Sequence, residues 1–268
     1  MKGDITDPGA LSAAIDRDTA SVFHLAAVVS AGAEADFDLG YRVNLDGTRN
    51  LLEACRKLQS PPRLVFASSL AVFGGKLPPV VDDSVTPNPQ TSYGTQKVIG
   101  EYLVTDYSRK GLVDGCSLRL PTIVVRSGKP NLASTSFASG MFREPLNGAV
   151  CEVPVEDSIE MWILSPQKVL DAFVHAHDLP ASAWGTNRAL TLPGITFSVK
   201  EGVEALRRIA GDEVAARVVF KPVERIHNMV KTFPARFRPD RAVSMGFKAD
   251  TDLDSIIKDY VASEGIKL

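Results

Sequence analysis

No two of the 20 glycines lie two or three residues apart, so the chain contains neither G-x-G-x-x-G nor G-x-x-G-x-x-G. Such a turn normally presents a helix amino terminus to the pyrophosphate of a dinucleotide. Long apolar runs are missing too: nothing approaches the roughly 20 consecutive apolar residues needed to cross a bilayer, and no signal peptide is read. The three cysteines, Cys55, Cys116 and Cys151, are odd in number and widely spaced. That excludes a disulfide framework and a metal knuckle, so no metal is expected, and it suits a reducing cytoplasm. Charge of one sign is also scarce, with 30 Lys and Arg against 32 Asp and Glu for a net charge of −2. Without a basic run, nucleic acid and anionic membrane are poor partners. At 268 residues and 44% hydrophobic, the chain can bury one sizeable core or two lobes.

What is present centres on residues 63–100. Residues 63–67 are apolar without alternation, which predicts a short buried strand with Ser68 and Ser69 at its carboxyl end. Gly74, Gly75, Pro78, Pro79, Pro87 and Pro89 exclude a helix across the next stretch, so the chain loops outward. A helix is predicted from Ser92, placing Tyr93 and Lys97 one turn apart on one face. A phenol ionises near pH 10 and serves as a base at neutral pH only where the phenolate is stabilised. An ammonium one turn away does this, and Ser69 can hydrogen-bond the same substrate oxygen. A Y-x-x-x-K pair alone is weak evidence; the order strand, serine pair, loop, helix is much stronger.

These residues, FASSLAVFG followed by SYGTQK, resemble the active-site region of the extended short-chain dehydrogenases/reductases, the NAD-dependent epimerase/dehydratase family. The resemblance implies an α/β, Rossmann-like doubly wound parallel sheet with a small carboxyl-terminal substrate lobe. It also implies a catalytic group of Ser69, Tyr93 and Lys97. Phe73 stands where many members have tyrosine. By the same likeness, residues 1–125 and 165–197 form a partial NAD-binding domain, and residues 126–164 and 198–268 the substrate lobe. The cofactor is expected to be NAD, with NADP not excluded.

Several other segments carry the resemblance. The opening GDITD implies that Asp4 contacts the adenine; alternatively, Asp4 and Asp7 cap a helix over residues 8–15. Residues 21–28 read as a buried strand ending in small residues, and its HLAA implies that Leu25, Ala26 and Ala27 line the cofactor. His24 reads as a packed strand residue. From 36 to 58 the apolar spacing predicts a helix, yet Asn44 and Gly47 are poor mid-helix residues and ask for a reason. The match to N-x-x-G-T-x-N-L-L-x-A implies that Asn44 organises the catalytic group. Residues 114–125 read as the next strand, interrupted by Pro121, and the resemblance brings Leu120, Pro121, Thr122 and Ile123 to the nicotinamide.

Residues 126–154, rich in Ser, Gly, Pro and Asn, are expected to form a functional loop. Within it Arg143 either clamps an acid substrate or pairs with Glu144. Further on, helices are expected over 165–177 and 199–210, the latter capped by Ser198 and ended by Gly211, with strands at 189–192 and 218–221. The chain appears in the resemblance from the end of the family's third strand onward. The expectation is a fragment lacking two strands upstream, or else a separate cover for the edge formed by residues 21–28.

Three functions follow. The first is an oxidoreductase acting on a secondary hydroxyl of a small sugar acid, D-erythronate-like, at C2, as a branch of the family does. The second is a nucleotide-sugar epimerase or dehydratase, with Arg236, Arg238 and Arg241 meeting a diphosphate. The third is a non-catalytic binding module. Homodimer pairing through helices at 36–58 and 93–107 is possible by likeness. A hydrolase on Ser139, His177 and Asp178 lacks the G-x-S-x-G elbow.

Overall fold

The computed structural model describes residues 2–129 and 134–268. In chain order its elements begin with helix α1 (Pro8–Ala14), strand β1 (Ser21–His24), helices α2 (Ser30–Ala35) and α3 (Phe37–Gly40), a π-helical turn (Tyr41–Asp46) and α4 (Gly47–Cys55). Next come β2 (Arg63–Ser69), a 3-10 turn (Leu70–Val72), β3 (Val81–Asp82), α5 (Ser92–Arg109), β4 (Asp114–Leu120) and β5 (Thr122–Ile123). Then follow α6 (Phe137–Leu146), β6 (Cys151–Val153), β7 (Glu160–Leu164), α7 (Pro166–Asp178), α8 (Ala181–Trp184), β8 (Ala189–Thr191), β9 (Ile195–Ser198) and α9 (Val199–Ala210). The chain ends through α10 (Asp212–Ala215), β10 (Val218–Phe220), α11 (Glu224–Val230), β11 (Phe237–Arg238), α12 (Asp240–Ser244) and α13 (Leu253–Ser263).

The chain divides into two compact units, the first comprising residues 1–75, 86–120 and 172–191. Its sheet has the order β1-β2-β4-β8 with every pair parallel. A parallel sheet with helical crossovers is the α/β, Rossmann-like class. β2 is apolar at successive positions over 64–67 and β4 is buried over 115–118 because both faces are covered, and Leu64, Phe66, Leu51, Leu52, Val104 and Val113 form one cluster. Among the described residues β1 pairs with β2 alone, and Phe23 on it is 45% exposed.

Two elements differ from the sequence reading. The strand expected over residues 21–28 ends at His24, because the side chain of Asn44 takes over the backbone of Val28: Val28 N–H donates to Asn44 Oδ1 (2.8 Å) and Asn44 Nδ2 donates to Val28 O (2.9 Å). The single helix expected over 36–58 is three segments, with one π-helical turn carrying Asn44.

The second unit comprises residues 76–85, 121–171 and 192–268. Its sheet β5-β7-β9 is mixed, and two short parallel pairs, β6 with β10 and β3 with β11, stand beside it in sequence. Its core gathers Met141, Phe142, Val153, Ile163, Phe197, Leu206 and Ile257. The stretch 126–154, read as one long loop, contains α6 and β6; residues 130–133 of it lie outside the described residues. Its Ser and Gly content misled because small residues also serve close packing: Ser139 and Gly140 on α6 are buried. The Ser198 cap is present as a full capping box, and Gly211 ends α9 at φ 86°, a left-handed value suited to glycine.

Candidate active site

β2 and α5 build the site. β2 delivers Ala67, Ser68 and Ser69 in sequence at its carboxyl end, and Ser69 then turns the chain by accepting a hydrogen bond from Ala71 N–H (3.2 Å). α5 starts where Thr91 caps it, the hydroxyl accepting from Gly94 N–H (3.1 Å). Gly94 is required here, since a Cβ would sit 2.1 Å from the Ala71 carbonyl oxygen. That close approach of backbone to backbone presses the first turn of α5 onto the end of β2. The Tyr93 phenol lies near enough to Ser69 there for that hydroxyl to lower its proton affinity. One turn on, the Lys97 ammonium donates to Ala67 O (2.7 Å) and lies 5.6 Å from the centre of the Tyr93 ring. The three residues expected to act together therefore meet at the carboxyl end of β2.

Burial decides their proton affinities. Desolvation pushes the Tyr93 phenol up to about 12, against a smaller lowering by the Ser69 hydroxyl. Lys97, 3% exposed, is pushed down to about 8 by burial, with the nearby Glu101 carboxylate acting in the opposite sense. The ammonium donates to the Ala67 carbonyl and lies over the ring, and in the chain alone burial dominates, so Tyr93 keeps its proton.

Asn44 is 3% exposed and holds three partners: both polar groups of Val28 and Gln96 Oε1, to which its Nδ2 donates (2.7 Å). Gln96 lies on α5 between Tyr93 and Lys97, so Asn44 ties the π-helical turn to that helix. Here is the reason that its mid-helix position asked for. His24 is buried as read. Thr48 donates its hydroxyl hydrogen to Asn44 O (2.6 Å), so His24 Nε2, 2.8 Å from Thr48 Oγ1, must donate to that hydroxyl oxygen. Desolvation, with the Lys97 charge second, drives His24 down to about 3 and keeps it neutral.

The residues assigned by likeness to the cofactor fall in three places. Register puts His24 opposite Phe66, so Leu25 leaves β1 at the same sheet end as Ser69; Leu25 is 60% exposed and Ala26 is exposed too. Ala27 is half-buried. Leu120 ends β4 opposite Ser69. Pro121 breaks the ladder, and Thr122 and Ile123 pair with β7 in the second unit. Leu25 and Ala26 are thus open at the carboxyl end of the parallel sheet, the end where Ser69 lies and where open α/β sheets take their ligands. Asp4 is exposed and accepts from Thr6 N–H (2.8 Å) and its hydroxyl, bonds that hold its carboxyl below the usual range. Asp7, not Asp4, caps α1, accepting from Gly9 N–H.

Arg143 is 6% exposed and engaged on both sides: it donates to Arg126 O (2.9 Å) and to Glu144 Oε1 (2.7 Å). Of its two readings, the pair with Glu144 is the one present, and an acid substrate would have to displace that carboxylate. Arg236 pairs with Glu160, and Arg238 with Asp82 and Asp240. Ser139 and His177 do not serve each other: Ser139 donates to Ile123 O, whereas His177 lies between Ser21 and Asp178. The sequence reading passed over Gln96, Ser68, Glu101 and Arg119. The available signals were Glu101 four residues beyond Lys97 on one helix face, and an arginine inside an otherwise buried strand.

The chain is similar to known proteins over nearly its whole length. D-erythronate dehydrogenase of Cupriavidus necator is 52% identical over 266 residues, 99% of this chain and 82% of that protein. The enzyme of the same name from Haemophilus influenzae is 42% identical over 254 residues, 95% of this chain and 81% of its own length. The crystal structure of a nucleoside-diphosphate-sugar epimerase from Agrobacterium tumefaciens superposes with a TM-score of 0.93 at 42% identity, covering 99% of this chain and 79% of that one. The profile of the NAD dependent epimerase/dehydratase family matches residues 1–184. The chain belongs to the NAD dependent epimerase/dehydratase family.

Proposed function

We propose that the protein is an NAD(P)-dependent dehydrogenase that oxidises the C2 hydroxyl of a small, D-erythronate-like sugar acid. The observation that carries this reading is the meeting of Ser69, Tyr93 and Lys97 at the carboxyl end of β2, in a chain 52% and 42% identical to two D-erythronate dehydrogenases. Ser69, partly exposed, orients the substrate hydroxyl, and Tyr93 receives its proton. Lys97 stabilises the phenolate and holds the cofactor ribose, while Asn44 keeps the neighbouring backbone in place. When bound, the nicotinamide supplies the acceptor for the hydride that leaves the same carbon, and its oxidised ring carries a positive charge. Bound there, such a charge would lower the proton affinity of a phenol that the chain alone holds at about 12. Leu25, Ala26, Ala27, Leu120, Pro121, Thr122 and Ile123 would line the cofactor, with Asp4 at the adenine. The reading does not rest on Arg143.

The test is reduction of NAD or NADP by the purified chain with D-erythronate against a neutral four-carbon polyol. Stoichiometric reduced cofactor is expected with the acid; its absence, with substrate nonetheless converted, would indicate an epimerase. Tyr93→Phe should lower turnover about 10²- to 10⁴-fold with the unfolding midpoint unchanged. Ordinary activity in that variant would sink the reading.

A further inference from the structure

The face of α5 that carries Tyr93 and Lys97 continues one more turn to Glu101, which is 3% exposed. Its carboxylate is fully engaged. Oε1 accepts from Ser68 Oγ (2.5 Å) and Arg119 Nε (2.9 Å), and Oε2 accepts from Arg119 NH2 (2.7 Å). Ser68 and Arg119 face each other in the register of β2 and β4, so one carboxylate binds two adjacent strands to the helix. The arginine is held in turn over the Phe73 ring, 5.1 Å from its centre.

The consequence lies in the neighbours of Ser68. Ala67 provides the carbonyl that receives Lys97, and Ser69 provides the hydroxyl that meets Tyr93. Glu101 therefore grips the middle of the tripeptide whose two ends hold the reacting side chains. It is also the carboxylate that acts on Lys97. The charged and titratable groups around that ammonium are Tyr93 and Glu101 on α5, His24 on β1 and, beyond Glu101, Arg119 on β4. With His24 and Tyr93 neutral, Lys97 and Arg119 positive and Glu101 negative, the cluster carries one net positive charge. Removing the carboxylate leaves two cations with no anion in a dry site.

We propose that Glu101 is a positioning residue of this site, which registers Ala67, Ser68 and Ser69 against α5 and sets a negative charge one helical turn beyond Lys97. A carboxylate bonded to Arg119 alone would hold the fold together equally well. Its bond to Ser68 and its charge beside Lys97 are what a merely structural pair does not require. The proposal rests on the dehydrogenase reading only for what the ammonium is used for, and its test reads the ammonium directly.

In protein labelled with ¹³C at lysine Cε, the Lys97 signal, assigned by its loss in Lys97→Met, should titrate near pH 8. In Glu101→Gln its midpoint should fall by about one unit or more. That variant leaves Arg119 unpaired and can fail to fold, so Glu101→Gln/Arg119→Met, which removes both charges, serves as the second arm. The folded double variant should also show a lowered midpoint, by less than Glu101→Gln because the Arg119 cation is gone too, and the alkaline limb of its turnover profile should move to lower pH with it. A folded variant in which Lys97 titrates as in the parent overturns the proposal, as does loss of fold in both variants. A parent chain inactive as a dehydrogenase but showing the shift would defeat the function proposed above and leave Glu101 in its role.

Discussion

Two helical stretches serve the site, and they are built in opposite ways. α5 runs unbroken through Ser92–Arg109 and places Tyr93, Lys97 and Glu101 by periodicity alone. The stretch from α3 to α4 is broken by a π-helical turn, and what it contributes is the side-chain amide of a single buried asparagine. The regular helix is located by sterics, since Gly94 lets its first turn touch the Ala71 carbonyl. The irregular one is located by hydrogen bonds, since Asn44 replaces the ladder partner that Val28 lacks. Packing of backbone on backbone tolerates no added atom. A buried amide tolerates no loss of polarity.

Substitutions should separate the two modes. Gly94→Ala should destabilise the fold by about 3 kcal/mol in denaturant, more than the helix propensity of alanine returns, because the clash is with a carbonyl and not a flexible side chain. A neutral outcome would mean that α5 is free to shift. Asn44→Leu, similar in size but apolar, should cost roughly 2 kcal/mol or more by leaving Val28 and Gln96 polar groups unpaired. Retention of parental stability would show that water or another group replaces the amide.

A partner of the broken stretch, His24 on β1, bonded to Thr48, carries a pH dependence. His24 has a folded value of about 3 against an ordinary 6.5, so between these the unfolded chain binds the extra proton. Stability is therefore complete above pH 6.5 and falls on acidification by about 1.4 kcal/mol per unit toward pH 3. Urea midpoints at stepped pH should show the slope, and His24→Gln, neutral throughout, should flatten it. The smallest effect returns to α5: Thr91→Ala removes the cap on Gly94 N–H and should cost about 1 kcal/mol.

The same contrast explains which parts were readable from the residues alone. The strand at β2, the start of α5, the break at Pro121, the Ser198 cap and the Gly211 stop all follow from short-range rules of apolar runs, caps and missing donors. The π-helical turn does not, because Asn44 and Gly47 signal only that a regular helix is disfavoured and not what replaces it. Likewise α6 was hidden in a stretch rich in Ser and Gly, since small residues mark loops and close packing alike. Arg143 shows a third kind of ambiguity: an arginine beside a glutamate can bind a ligand or its neighbour, and in the chain alone it pairs with Glu144.

The order of residues was enough to bring a serine, a tyrosine and a lysine to one place, since strand ends and helical periodicity are local properties. Their acidities were set elsewhere. How tightly Tyr93 holds its proton and how readily Lys97 gives one up depend on water excluded by residues distant in the chain and on the Glu101 carboxylate locked to Arg119 of β4. Desolvation and buried charge pairing are sums over everything nearby, and in this chain what is nearby is settled when β1, β2, β4 and α5 close on one another.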